Sequence, residues 1–120
     1  MTDPNADTDP HVDDESAIDR THLARYTLGN PELEAEILDL FSGQVATLLK
    51  AVLSAESQAE WRFATHSIKG SARAVGAWDL AETAERLEQL TPKSNAANAE
   101  IEHLIEAVAE AVEAAERVSA

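Results

Sequence analysis

From Ala17 onward, apolar residues recur at three- and four-residue intervals, and no stretch alternates with the two-residue period of a strand. The pattern predicts an all-α protein. A short first helix spans roughly Ile18 to Leu28 and ends near Gly29. Asn30 then suits an N-cap, with Pro31 at the first helical position of a second helix. Leu33, Ile37, Leu40, Phe41, Val45, Leu48 and Val52 mark the apolar stripe of that helix. At about 1.5 Å per residue, its roughly 24 residues extend some 36 Å. Ser57-Gln58-Ala59-Glu60 has the capping-box spacing and opens a third helix, which runs to about Val75 and stops at Gly76. The fourth covers about Trp78 to Leu90, with Leu80, Ala84, Leu87 and Leu90 along one side and Thr91-Pro92 as its stop. The fifth starts after Asn95 and reaches about Val118 on a stripe of Ile101, Leu104, Ile105, Val108, Ala111, Val112 and Ala115. Short connectors between these four amphipathic helices predict an antiparallel up-down-up-down four-helix bundle, with the short additional N-terminal helix capping one end.

Charge changes the picture at the N-terminus. Residues 1–16 are acidic, carry Pro4 and Pro10 and offer almost nothing apolar to bury, which predicts a disordered acidic tail ahead of a domain over 17–120. The net charge of the chain is −14, of which residues 1–19 contribute −7 through seven acidic residues and no Lys or Arg. Such a chain repels nucleic acid and anionic membrane surfaces. The absence of cysteine excludes disulfides and thiolate metal sites. No apolar run approaches the roughly 20 residues that span a bilayer, and the acidic N-terminus does not read as a signal peptide. A cytoplasmic protein is the expectation.

Against that negative background, one helix face stands out. The third helix buries Trp61, Ala64, Ile68, Ala72 and Val75 on a near-heptad seam. At about 100° per residue, His66 lies about 200° from Ala64 and about 160° from Ile68, so it points away from the core. Arg62, Lys69, Gly70 and Arg73 all fall within about 60° of His66, forming one exposed stripe with it. Three of the nine basic residues of the chain sit there. Helical geometry alone also accommodates a solvated face with an incidental histidine, as expected for His22 and His103. Gly70 weighs against that reading, because a mid-helix glycine costs about 1 kcal/mol on a face where no core packing needs it. A missing side chain beside His66 is useful if another protein's backbone must come close. An imidazole titrating near 6.5 is a competent nucleophile at neutral pH, and a neighbouring ammonium can neutralise a phosphoryl oxygen.

The run His66-Ser67-Ile68-Lys69-Gly70-Ser71-Ala72-Arg73-Ala74-Val75-Gly76-Ala77 resembles the signature of histidine-containing phosphotransfer (HPt) domains, and helix count and order are similar to that family over about residues 18–118. The resemblance implies a shuttle of two-component phosphorelays. A receiver-domain aspartate would donate a phosphoryl group to His66, on Nε2, and a second receiver would take it. Response-regulator receivers and a hybrid histidine kinase are the implied partners of a monomeric carrier that has no kinase or hydrolase activity of its own. It would need no cofactor or metal, because the receiver supplies the Mg²⁺. By the same resemblance, Lys69 would stabilise the transferring phosphoryl and Gly70 would admit the receiver; Arg73 is variable in the family, and it is the exposed stripe that puts Arg62, Lys69, Gly70 and Arg73 on the partner-binding face. Ser71 and Ala72 would be small packing positions near the site. Some relatives place a Glu or Gln 22 residues after the histidine, bonded to its other ring nitrogen. Glu88 holds that position here, where a surface role on a charged helix is equally open. Thr65 departs from the alanine common before the histidine, and its hydroxyl could meet the helix backbone or the docking surface.

Two other readings compete. The phosphoacceptor domain of a chemotaxis-type kinase shares the His-Ser-Ile-Lys-Gly core and Glu88, but that reading expects a linker and kinase domains beyond Ala120. A non-phosphorylated helical adaptor fits the fold but leaves the retained histidine, lysine and glycine without a purpose.

Overall fold

The protein's structure, a computed structural model, describes residues 17–119. The expected acidic tail over residues 1–16 lies outside them. Five α-helices and no strands are found among the described residues: α1 Arg20–Thr27, α2 Pro31–Leu53, α3 Gln58–Val75, α4 Trp78–Glu88 and α5 Asn95–Ser119.

Local chemistry sets most of the helix boundaries. Asp19 caps α1 by accepting from the His22 amide, and Asn30 caps α2 by accepting from the amides of Glu32 and Leu33, with Pro31 following it. At α3 the Ser57 hydroxyl accepts from the Glu60 amide. Glu60 returns a bond to the Glu56 amide, one residue before the cap, so the capping box closes one residue wide. Gly76 ends α3 in the left-handed conformation at φ +78°. The α1 boundaries lie inside the expected Ile18–Leu28, because the Asp19 cap leaves Ile18 outside the helix. The fourth helix closes at Glu88, and the amides of Gln89 and Leu90 bond only three residues back, to Arg86 and Leu87.

The helices form a bundle around one core. α2 packs against α3 and α5, α4 packs against α3 and α5, and α1 lies across α2 and α3. Trp61, Leu38, Val45, Ile68, Leu80, Leu87 and Leu104 are almost fully buried. Three stripe residues prove to be exposed, Leu33 at the start of α2 only marginally, at 37 %. Leu40 is 69 % exposed, since it lies about 160° around α2 from Leu38, which takes the core position instead. Ile105 is 42 % exposed, because Ala107, Ala111 and Ala114 form the α5 seam. Their small side chains allow the close helix approach that the abundance of small residues on the fourth and fifth helices suggests.

A buried polar contact ties α3 to α4. The buried Trp61 indole N–H donates to the Leu87 carbonyl at 2.8 Å. At the opposite end of α3 the chain crosses itself closely, with the Asp19 amide donating to the Gly76 carbonyl at 2.9 Å. A Cβ on Gly76 would lie 2.8 Å from Asp19 Cβ and 2.9 Å from its carbonyl oxygen. Both φ and space therefore require glycine. Gly76→Ala is expected to lower unfolding free energy by more than the ~1–2 kcal/mol of left-handed strain alone, as read by urea denaturation.

Candidate functional site

α3 presents His66 on its solvent side, and the side chain is 65 % exposed. Its packing face is the predicted one: Trp61, Ala64, Ile68, Ala72 and Val75 are all buried. The Trp61–Leu87 contact sets the axial register of α4 against α3, which brings the next residue, Glu88, level with His66. His66 Nδ1 lies 2.9 Å from Glu88 Oε2, and Lys69 Nζ donates to Glu88 Oε1 at 2.7 Å. The lysine ammonium, assisted by the His66 hydrogen bond, holds the Glu88 carboxyl below its ordinary value of 4.5, against the opposing effect of burial. An ionised carboxylate only accepts hydrogen bonds, so Nδ1 is the donor of the pair. In the neutral imidazole this leaves Nε2 as an unprotonated lone pair, and Nε2 bonds to no other described residue.

The stripe of five does not stay together as geometry on α3 alone predicts. Arg62 and Gly70 are exposed beside His66. Lys69 is not exposed: its side chain retains only 14 % accessibility, because it bends towards α4 to reach Glu88. Arg73 also turns to α4 and pairs with Glu85 at 3.3 Å, on an open surface where such a pair contributes little. A Cβ added at Gly70 meets nothing within 4 Å. Among the described residues, no contact requires the glycine.

Thr65 is fully buried and its hydroxyl donates back to the Trp61 carbonyl at 2.9 Å, which removes it from any docking surface. Ser71 reaches across to Gln44 on α2 at 3.2 Å, and Ala72 is core. The other two helical histidines are not simply solvated. His22 packs edge-on against Trp78 and Tyr26, with its Nε2 buried and unpartnered. His103 Nε2 lies 3.2 Å from Asp79.

Two exposed apolar side chains flank this face of α3 without being assigned to it by the sequence reading, which leaves Phe63 unmentioned and counts Leu40 in the apolar stripe of its helix. Phe63 is 70 % exposed and lines an open depression of about 700 Å³ with Gln58, Ala59, Arg62, His66 and Glu88. It stands three residues before His66 and so about 60° from it, a signal available from spacing. On the other flank, Leu40 and Gly70 line a groove of about 370 Å³ between α2 and α3. Leu40 is masked in the sequence by the regular apolar spacing of its own helix.

The Glu88 interaction carries a pH dependence of known sign. A carboxyl whose native value is depressed stabilises the fold fully above its ordinary value of 4.5, and loses that contribution as pH falls through the lower native value. Urea unfolding should show wild-type stability falling more steeply than that of Glu88→Gln as pH drops from 4.5 through the lower native value, with the slopes converging below it.

Among described residues, no helix is long and apolar enough to cross a membrane. No curated protein and no solved structure matched the chain. A family model, the Hpt domain, matches residues 36–118, which include α3, α4, the His66–Lys69–Gly70 run and Glu88. That match spans more than half of the 120 residues, and the chain belongs to the Hpt domain family.

Proposed function

We propose that this protein is a phosphorelay carrier in which His66 accepts a phosphoryl group from the aspartyl phosphate of one receiver domain and yields it to the aspartate of another. The observation that carries the reading is the His66–Glu88 pair, which commits the proton to Nδ1 and leaves Nε2 as the nucleophile. Nε2 donates its lone pair to phosphorus as the phosphorus–oxygen bond to the aspartate breaks, and the electron pair leaves with the carboxylate. The ring becomes positively charged. Glu88, still accepting from Nδ1–H, stabilises that charge. When the next aspartate attacks, the same electrons return to Nε2. Such a transfer depends on alignment and charge neutralisation, with the receiver supplying the metal and the acid anhydride.

The docking face is proposed to comprise Arg62, Phe63, Gly70 and Leu40, arranged around His66, with Arg73 at its edge. Exposed apolar side chains near a reactive centre suit a partner that brings its own. The domain is taken as residues 17–120, its four longer helices running up-down-up-down. Contacts of the start of α3 with the end of α4, as in Gln58 to the Leu90 carbonyl, support that direction. The partners are receiver domains and a hybrid kinase, met by a cytoplasmic monomer without kinase or hydrolase activity of its own.

Incubation with a phosphorylated receiver should transfer label to the wild type in an acid-labile, alkali-stable linkage. His66→Gln should fold and take none, and equal labelling of that variant defeats the assignment. Gly70→Ala separates stability from transfer. It should raise unfolding free energy by up to about 1 kcal/mol, because its Cβ meets only open space, while slowing phosphotransfer by crowding the receiver.

A further inference from the structure

Lys69 lies one turn from His66, which suggests an ammonium reaching for the phosphoryl group. Its position in the structure is different. It does not line the depression that His66 and Glu88 share, and its side chain is mostly covered. Its ammonium bonds to Glu88 Oε1 at 2.7 Å, while the other oxygen of the same carboxylate meets His66 Nδ1 at 2.9 Å. Lys69 is thus connected to the Nδ1 edge of the ring, opposite the atom that takes the phosphoryl.

We infer that Lys69 is a positioning residue that acts on His66 through Glu88, fixing the carboxylate that holds the imidazole in its Nδ1–H form. This rests on the reading of His66 as phosphoacceptor. Glu88 is the last residue of α4, at the negative end of the helix dipole, where a carboxylate is disfavoured. It is also largely covered, with a side chain 14 % exposed. Both conditions call for a cation, and Lys69 supplies it. With one oxygen bound to Lys69, the carboxylate plane has a single orientation, and its second oxygen points at the ring.

The test is ¹⁵N NMR of the imidazole nitrogens in the unphosphorylated full chain, at a pH where the ring is neutral. Wild-type His66 should show the Nδ1–H tautomer as its dominant form. Glu88→Ala should abolish that dominance. Lys69→Met, which keeps much of the aliphatic stem, should do so too, although residue 69 does not touch the ring. Lys69→Gln reaches one bond less far and loses the charge, so it provides a second variant with the same expected shift if methionine impairs folding. Retention of the wild-type tautomer in a folded Lys69 variant with slowed transfer overturns the inference and makes the lysine a direct phosphoryl ligand. Failure of the wild type to accept phosphoryl from any receiver would instead count against the assignment of His66, because the tautomer measurement requires no transfer.

Discussion

The arrangement at His66 depends on a buried hydrogen bond that takes no part in the chemistry. The indole of Trp61 cannot be buried without a partner for its N–H, and the partner it finds is the carbonyl of Leu87. Hydrophobic packing alone permits α3 and α4 to slide. A directional bond from a rigid ring to one peptide group does not. Once Leu87 is placed, Glu88 follows at the end of α4, level with a ring carried just over one turn after Trp61 on α3. The position of the reactive nitrogen is thereby set from within the core.

Much of the fold was legible because its boundaries are chemical. Asn30-Pro31, Ser57 with Glu60, and Gly76 each announce a helix end through a local hydrogen bond or backbone requirement, and each acts where the sequence placed it. Side-chain direction was harder to read. Leu40 and Ile105 share the spacing of core residues, yet Leu38 and a row of alanines occupy the interior. A one-residue change in which side chain is taken as central rotates a helix by about 100°, and small residues hide that rotation because they carry little hydrophobic signal.

The site divides along the same line. His66 and Gly70 were legible from α3 alone, since their exposure depends only on the opposite face being buried. Lys69 was misjudged as exposed because its surroundings come from another helix. A long flexible side chain adopts the direction its partner dictates, and that partner, Glu88, lies 19 residues along the chain. The 22-residue interval from His66 to Glu88 is meaningful only once α3 and α4 are packed in register.

Gly76 has a further consequence. Its close approach to Asp19 fastens the chain segment before α2 to the turn between α3 and α4, where the Trp78 indole also donates to Asp19. Ile18 and Leu23 are thereby folded into the interior, with relative exposures of 0 % and 1 %. The Hpt match begins at residue 36, partway along α2. The stretch recognisable by descent and the stretch that folds are therefore different units. Cutting the chain at the first would sever a helix and uncover apolar surface, because the packed interior reaches back at least to Ile18, ahead of the matched stretch.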